Sequence, residues 1–140
     1  MEHSRRELGS MLPLLLAVTG RADTATLQSR MYPFDQLEVK TNGENQMRPI
    51  FSGQTNSGCP LEIHITNLPP GGAPHPPHHH VHDEMILIQE GTMEVTIAGQ
   101  TSRLGPGSVA YVASNQHHGW RNVGDGRAQY FVLAIGQDKS

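Results

Sequence analysis

Several things are scarce in this chain, and each scarcity excludes something. There is one cysteine, Cys59, among 140 residues, so no internal disulfide can form. Nothing in the sequence around Cys59 would activate a thiol, so it reads as a small half-buried side chain. Charged residues make up only 16% of the chain and the net charge is −3 with histidine neutral. The ten lysines and arginines are scattered, which argues against a nucleic-acid surface. No apolar run is long enough to cross a bilayer as a helix, so no integral membrane segment is expected in the mature chain. Beyond residue 30 there is no sustained helical period, no internal repeat and no low-complexity tract.

At this length one domain with a sizeable core is expected. The first 25 residues stand apart from it. Arg5-Arg6 precedes the apolar run Met11–Val18, and small residues follow at Gly20 and Ala22. That layout reads as an N-terminal extension carrying a twin-arginine-like export signal, with cleavage after Ala22 and an exported or periplasmic product. The alternative is a short amphipathic helix on a cytoplasmic protein. Residues 26–140 then form the domain proper.

Glycine and proline are abundant there, 15 and 10 in the whole chain, and they punctuate short apolar stretches. Strands are expected at 48–51, 61–66, 84–89, 92–98, 101–104, 108–113, 118–122 and 128–135. Turns are expected at Pro69-Pro70-Gly71-Gly72, Glu90-Gly91, Gly99-Gln100, Gly105-Pro106-Gly107 and Gly124-Asp125-Gly126. Leu61, Ile63 and Ile65 alternate with Glu62, His64 and Thr66, the pattern of a half-buried strand, with His64 on the polar face. Many short strands at this interval indicate an antiparallel sandwich or barrel.

What the chain has in excess is histidine, nine in all, concentrated in His75-Pro-Pro-His78-His79-His80-Val-His82. In a strand, residues of equal parity face the same way. A regular strand would therefore point His78, His80 and Glu84 together into a barrel, and His118 from another strand could join them. Three imidazoles and a carboxylate suit a divalent transition metal with coordination positions left open. By the same parity His79 and His117 should face away, His75 should sit at the rim, and His82 falls where the strand could bend. Trp120 is in phase with His118 and is a candidate wall of a substrate pocket, and Tyr111 is a further candidate. No second acid or base beside the metal is evident.

Two blocks carry a family resemblance. The first runs Gly72, His78, His80, Glu84, Gly91. The second runs Gly99, Gly105-Pro106-Gly107, His118, Asn122. Together they resemble the two motifs of the cupin superfamily, with Gly105 where that family usually has proline. The resemblance implies an all-β, double-stranded β-helix (jelly-roll) cupin barrel with its metal inside. It implies His78, His80, Glu84 and His118 as ligands of one divalent ion. Iron or manganese is favoured, with zinc, nickel, cobalt or copper as alternatives. The expected function is a small metal-dependent enzyme, an oxygenase-type oxidoreductase on a small organic substrate. The alternatives are a non-catalytic cupin binding or sensing a small acid or sugar, and a cupin isomerase or lyase. Small barrels of this family commonly dimerise. Leu27, Met31, Phe34 and Leu37 are candidates for a homodimer interface, or for a cover over their own barrel.

Overall fold

The computed structural model describes residues 25–136. The segment read as an export signal lies outside the described residues. Among these residues there is no α-helix, only one 3-10 turn at Phe34–Gln36. Nine strands follow: β1 (Lys40–Asn42), β2 (Asn45–Gln54), β3 (Pro60–Leu68), β4 (Asp83–Glu90), β5 (Met93–Ile97), β6 (Gln100–Leu104), β7 (Val109–Val112), β8 (His118–Asn122) and β9 (Ala128–Ile135). They form a six-stranded sheet in the order β1-β2-β3-β9-β4-β7 and a three-stranded sheet in the order β6-β5-β8, all antiparallel. The two sheets make a jelly roll. Its core is Ile86, Ile88, Met93, Val95, Val112, Trp120, Tyr130 and Val132 with their neighbours.

Two glycines make this packing possible. Gly91 has φ +87°, and a Cβ there would lie 2.7 Å from Ala128 Cα, so only glycine fits the β4–β5 corner. A Cβ on Gly119 would lie 2.9 Å from Pro77 Cγ. Its absence lets the proline-rich segment lie against β8.

β3 departs from the expected orientation. Glu84 pairs with Ala134 and Ala134 with Glu62; Ile86 pairs with Val132 and Val132 with His64. Residues paired across a ladder share a face, and Ile86 and Val132 are core. Glu62, His64 and Thr66 therefore face the interior, while Leu61, Ile63 and Ile65 lie on the outer face beside Phe131 and Leu133. Alternation alone fixes that two faces differ, not which one faces in.

The segment before β1 partly covers that outer apolar face. Leu27 N–H donates to Gln54 O at 2.8 Å, a Cβ on Gly53 would strike Ala25 O and Leu27, and the Tyr32 and Phe51 rings lie 5.4 Å apart. Met31 and Phe34 stay exposed.

Candidate metal centre

The ligand set assembles from three places. Glu84 is the second residue of β4, on its inward face. His118 opens β8, also inward. His78 and His80 come from the segment before β4, which is not the regular strand that parity implied. Pro76 and Pro77 have no N–H to give a ladder, and the chain bends at Val81–His82. A single antiparallel bridge holds the segment: His78 and His118 exchange backbone hydrogen bonds of 2.9 Å in both directions. One ligand atom from each of His78, His80, Glu84 and His118 lies within 4.8 Å of the others, forming a group able to hold a metal ion.

The hydrogen bonds around the group fix the imidazoles. His80 Nδ1 lies 2.9 Å from His82 O, and His118 Nδ1 lies 2.8 Å from Gln116 O. A carbonyl oxygen only accepts, so each Nδ1 carries the hydrogen, which leaves Nε2 as the atom able to ligate a metal. Those Nε2 atoms face Glu84 Oε2 at 2.7 and 3.0 Å. An imidazole nitrogen and a carboxylate oxygen this close need a cation between them, a proton or a metal ion. The third imidazole tells the same story: His78 Nε2 is buried with no hydrogen-bond partner. Burial pushes the His78 pKa down to about 4, aided by His75, His118 and His80 and opposed by Glu84. That keeps the ring neutral and able to donate its lone pair. Donor types, tautomers and the orphaned nitrogen all fit a divalent ion.

The remaining candidates are distributed unevenly. His82 stacks on His80, ring centroids 3.7 Å apart, beside the ligand group but outside it. His75 stacks on His78 at 3.9 Å and, with Pro77, His117 and Trp120, lines a cleft of about 640 Å³. His79 is exposed. Trp120 is buried and stacks on His118 at 5.4 Å, and its indole N–H donates to Tyr130 Oη at 2.9 Å. Tyr130 is fully buried, and burial holds its phenol well above its usual pKa, so it keeps its proton. Tyr111 is not in the cavity: Ala110 and Val112 point inward on β7, so Tyr111 points out, 54% exposed. Alternation along a four-residue strand decides this, and the sequence did not show which parity was inward.

Sequence reasoning assigned no role to two features. Asn122 acts as a tie: its amide donates to Leu68 O and Gly126 O at 3.1 and 2.8 Å, and its Oδ1 accepts from Gly124 N–H at 2.9 Å. Glu62 and His64 form an interior pair, Nδ1 to Oε1 2.8 Å. The only signal for that pair was the alternation of β3, read with the opposite face inward.

A two-sheet jelly roll with three imidazoles and a carboxylate converging inside it defines a class of small metal-site barrel proteins. The chain belongs to the cupin family: the cupin domain model matches residues 64–135. No curated protein matches the sequence. Similar solved structures include an RmlC-like cupin from Shewanella frigidimarina, 16% identical, TM-score 0.66, covering 79% of this chain and 93% of that one. Another is a predicted oxalate decarboxylase from Thermotoga maritima, 17% identical, TM-score 0.64, covering 77% and 100%. A third is a cupin sugar phosphate isomerase from Silicibacter pomeroyi, 15% identical, TM-score 0.62, covering 77% and 76%. At these identities the likeness is one of fold.

Proposed function

We propose that the protein is a metal-dependent cupin enzyme acting on a small organic molecule that reaches the ion through oxygen atoms. The observation that carries this is the convergence of His78, His80, Glu84 and His118, one ligand atom of each within 4.8 Å of the others, with His80 and His118 Nε2 on Glu84 Oε2 and His78 Nε2 buried without a partner. A divalent ion held by these residues supplies a Lewis-acid centre with open positions for a small ligand or O2. The protein's own groups do the rest. The backbone carbonyls of His82 and Gln116 orient two imidazoles, and Trp120, Ile86 and Val112 make an apolar wall that excludes water. Such a wall supports the oxygenase-type reading. The cyclising, isomerising and decarboxylating activities in the names of cupins of this fold keep redox-neutral turnover as the second reading.

Elemental analysis of the purified chain should give about one divalent metal per chain. His80→Ala and His118→Ala should each weaken retention by at least about 100-fold, more than the loss of an orienting partner. Parent-like metal content in both variants would sink the site. With the Fe(II)-loaded protein and a panel of small acids and phenols, O2 uptake supports the oxygenase reading. Turnover in its absence supports the redox-neutral one, and thermal stabilisation without turnover supports a binding module.

A further inference from the structure

The segment from Gly72 to His78 is tied to β8 at both ends and parts from it in between. Asn122 N–H donates to Gly72 O at 2.9 Å, and His78 and His118 exchange backbone bonds of 2.9 Å. Residues 73–77 therefore arch over residues 119–121, with more chain on one side than on the other. Pro74, Pro76 and Pro77 lie in the arch, and proline has no N–H to give a ladder. Backbone groups point to alternate sides along an antiparallel strand. Those of His118 and Asn122 point toward the arch, whereas His117 O accepts from Ala98 N–H on the β5 side. The N–H and C=O of Trp120 therefore point into the arch, and no described residue pairs with either. Trp120 is buried, where peptide groups are rarely left unpaired.

The arch borders the cleft of about 640 Å³, which Trp120 helps to line. Glu94, Thr96, Gly119 and Arg121 also line it, and they alternate along β5 and β8 with the buried Val95, His118 and Trp120. The cleft thus lies on the outer face of the smaller sheet. No residue of the metal group lines it, so it is a separate site. We propose that this cleft binds a planar aromatic carboxamide or lactam through the peptide groups of Trp120. An N–H and a C=O side by side on one extended residue are matched by the C=O and N–H edge of an amide. A carboxylate accepts from Trp120 N–H but sets a second acceptor against Trp120 O. The cleft has no free charge to recruit an anion either, because the Arg121 guanidinium is held by Glu94 at 3.0 Å. Ala73, Pro76 and Pro77 supply apolar walls beside the amide-binding edge, which suits a ring.

Trp120 is the single tryptophan of the chain, so ¹⁵N-tryptophan labelling gives one backbone amide signal and one indole signal. The full-length chain, with Zn(II) present, is titrated with nicotinamide, 2-pyridone and nicotinate as probes. Nicotinamide and 2-pyridone should move the backbone signal saturably, with dissociation constants of about 1 mM or below. The indole signal, held by Tyr130 in the core, should stay in place. Nicotinate should bind at least about tenfold more weakly, the loss of one hydrogen bond. Thr96→Phe and Ala73→Leu fill the cleft from opposite walls, and each should weaken nicotinamide binding at least about tenfold by steric exclusion. A parent-like melting transition shows that a variant is folded, and the comparison of nicotinamide with nicotinate on the parent needs no variant. No saturable movement of the backbone signal, equal affinity for nicotinamide and nicotinate, or parent-like affinity in a folded variant overturns the site and leaves the cleft to water.

Discussion

At the scale of single residues, His78 shows how a binding site taxes the fold that carries it. Its Nε2 is buried without a partner, a placement that costs on the order of 1–3 kcal/mol for an ordinary polar group. Its folded pKa, about 4, lies below the 6.5 of a free imidazole. The unfolded chain therefore takes up this proton first as pH falls. The stability tied to His78 is intact above about pH 6.5 and is lost progressively toward pH 4. Chelator-treated protein should accordingly lose thermal stability across that window, and His78→Gln should lose less of it. Identical slopes in the two proteins would show that His78 is not desolvated. The residue types at this site were legible in the sequence, because histidine and glutamate at that spacing have few other uses. Which nitrogen carries each hydrogen was not legible, since carbonyls of residues 82 and 116 decide it.

At the scale of elements, the segment from His75 to His82 does what a strand was expected to do, by a different route. Its prolines prevent a ladder, so one bridge to His118 and one close contact between Pro77 and Gly119 position two ligands. Gly119→Ala would push a methyl group into the proline ring. It should cost about 1–3 kcal/mol by overpacking and weaken metal binding at the same time, because the segment it displaces carries His78 and His80. Denaturation and metal titration of the same variant check both. Loss of stability with parent-like metal affinity would mean that the ligands are placed independently of this contact. β8 and β9 were read from the sequence with their observed bounds. β2 was read as the four residues 48–51, whereas it runs Asn45–Gln54 through Pro49 and Gly53. The pairing with β3 carries it to that length, with a register shift between Pro49 and Phe51.

At the scale of the whole molecule, the outer face of the larger sheet remains unusually apolar. Leu87, Val109 and Tyr111 are 41%, 49% and 54% exposed and sit side by side on β4 and β7. Patches of this kind mark contact surfaces, and we propose a homodimer that buries this one, in place of the interface through Leu27, Met31, Phe34 and Leu37 that the sequence suggested. Light scattering should give twice the chain mass of 15.3 kDa, and Leu87→Glu should shift it to one chain. A parent that is monomeric at all concentrations removes the dimer. By itself the sequence determined the class of fold and the turns, and it named the four side chains that the structure brings together as a group able to hold an ion. Period, punctuation and ligand chemistry are local properties that one chain carries in order. Tertiary structure alone decided which stripe of β3 faces inward, that Tyr111 faces out, and that Glu62 and Glu84 share a row. Those depend on which strands lie beside one another, and β3, β9 and β4 become neighbours only when segments far apart along the chain pair.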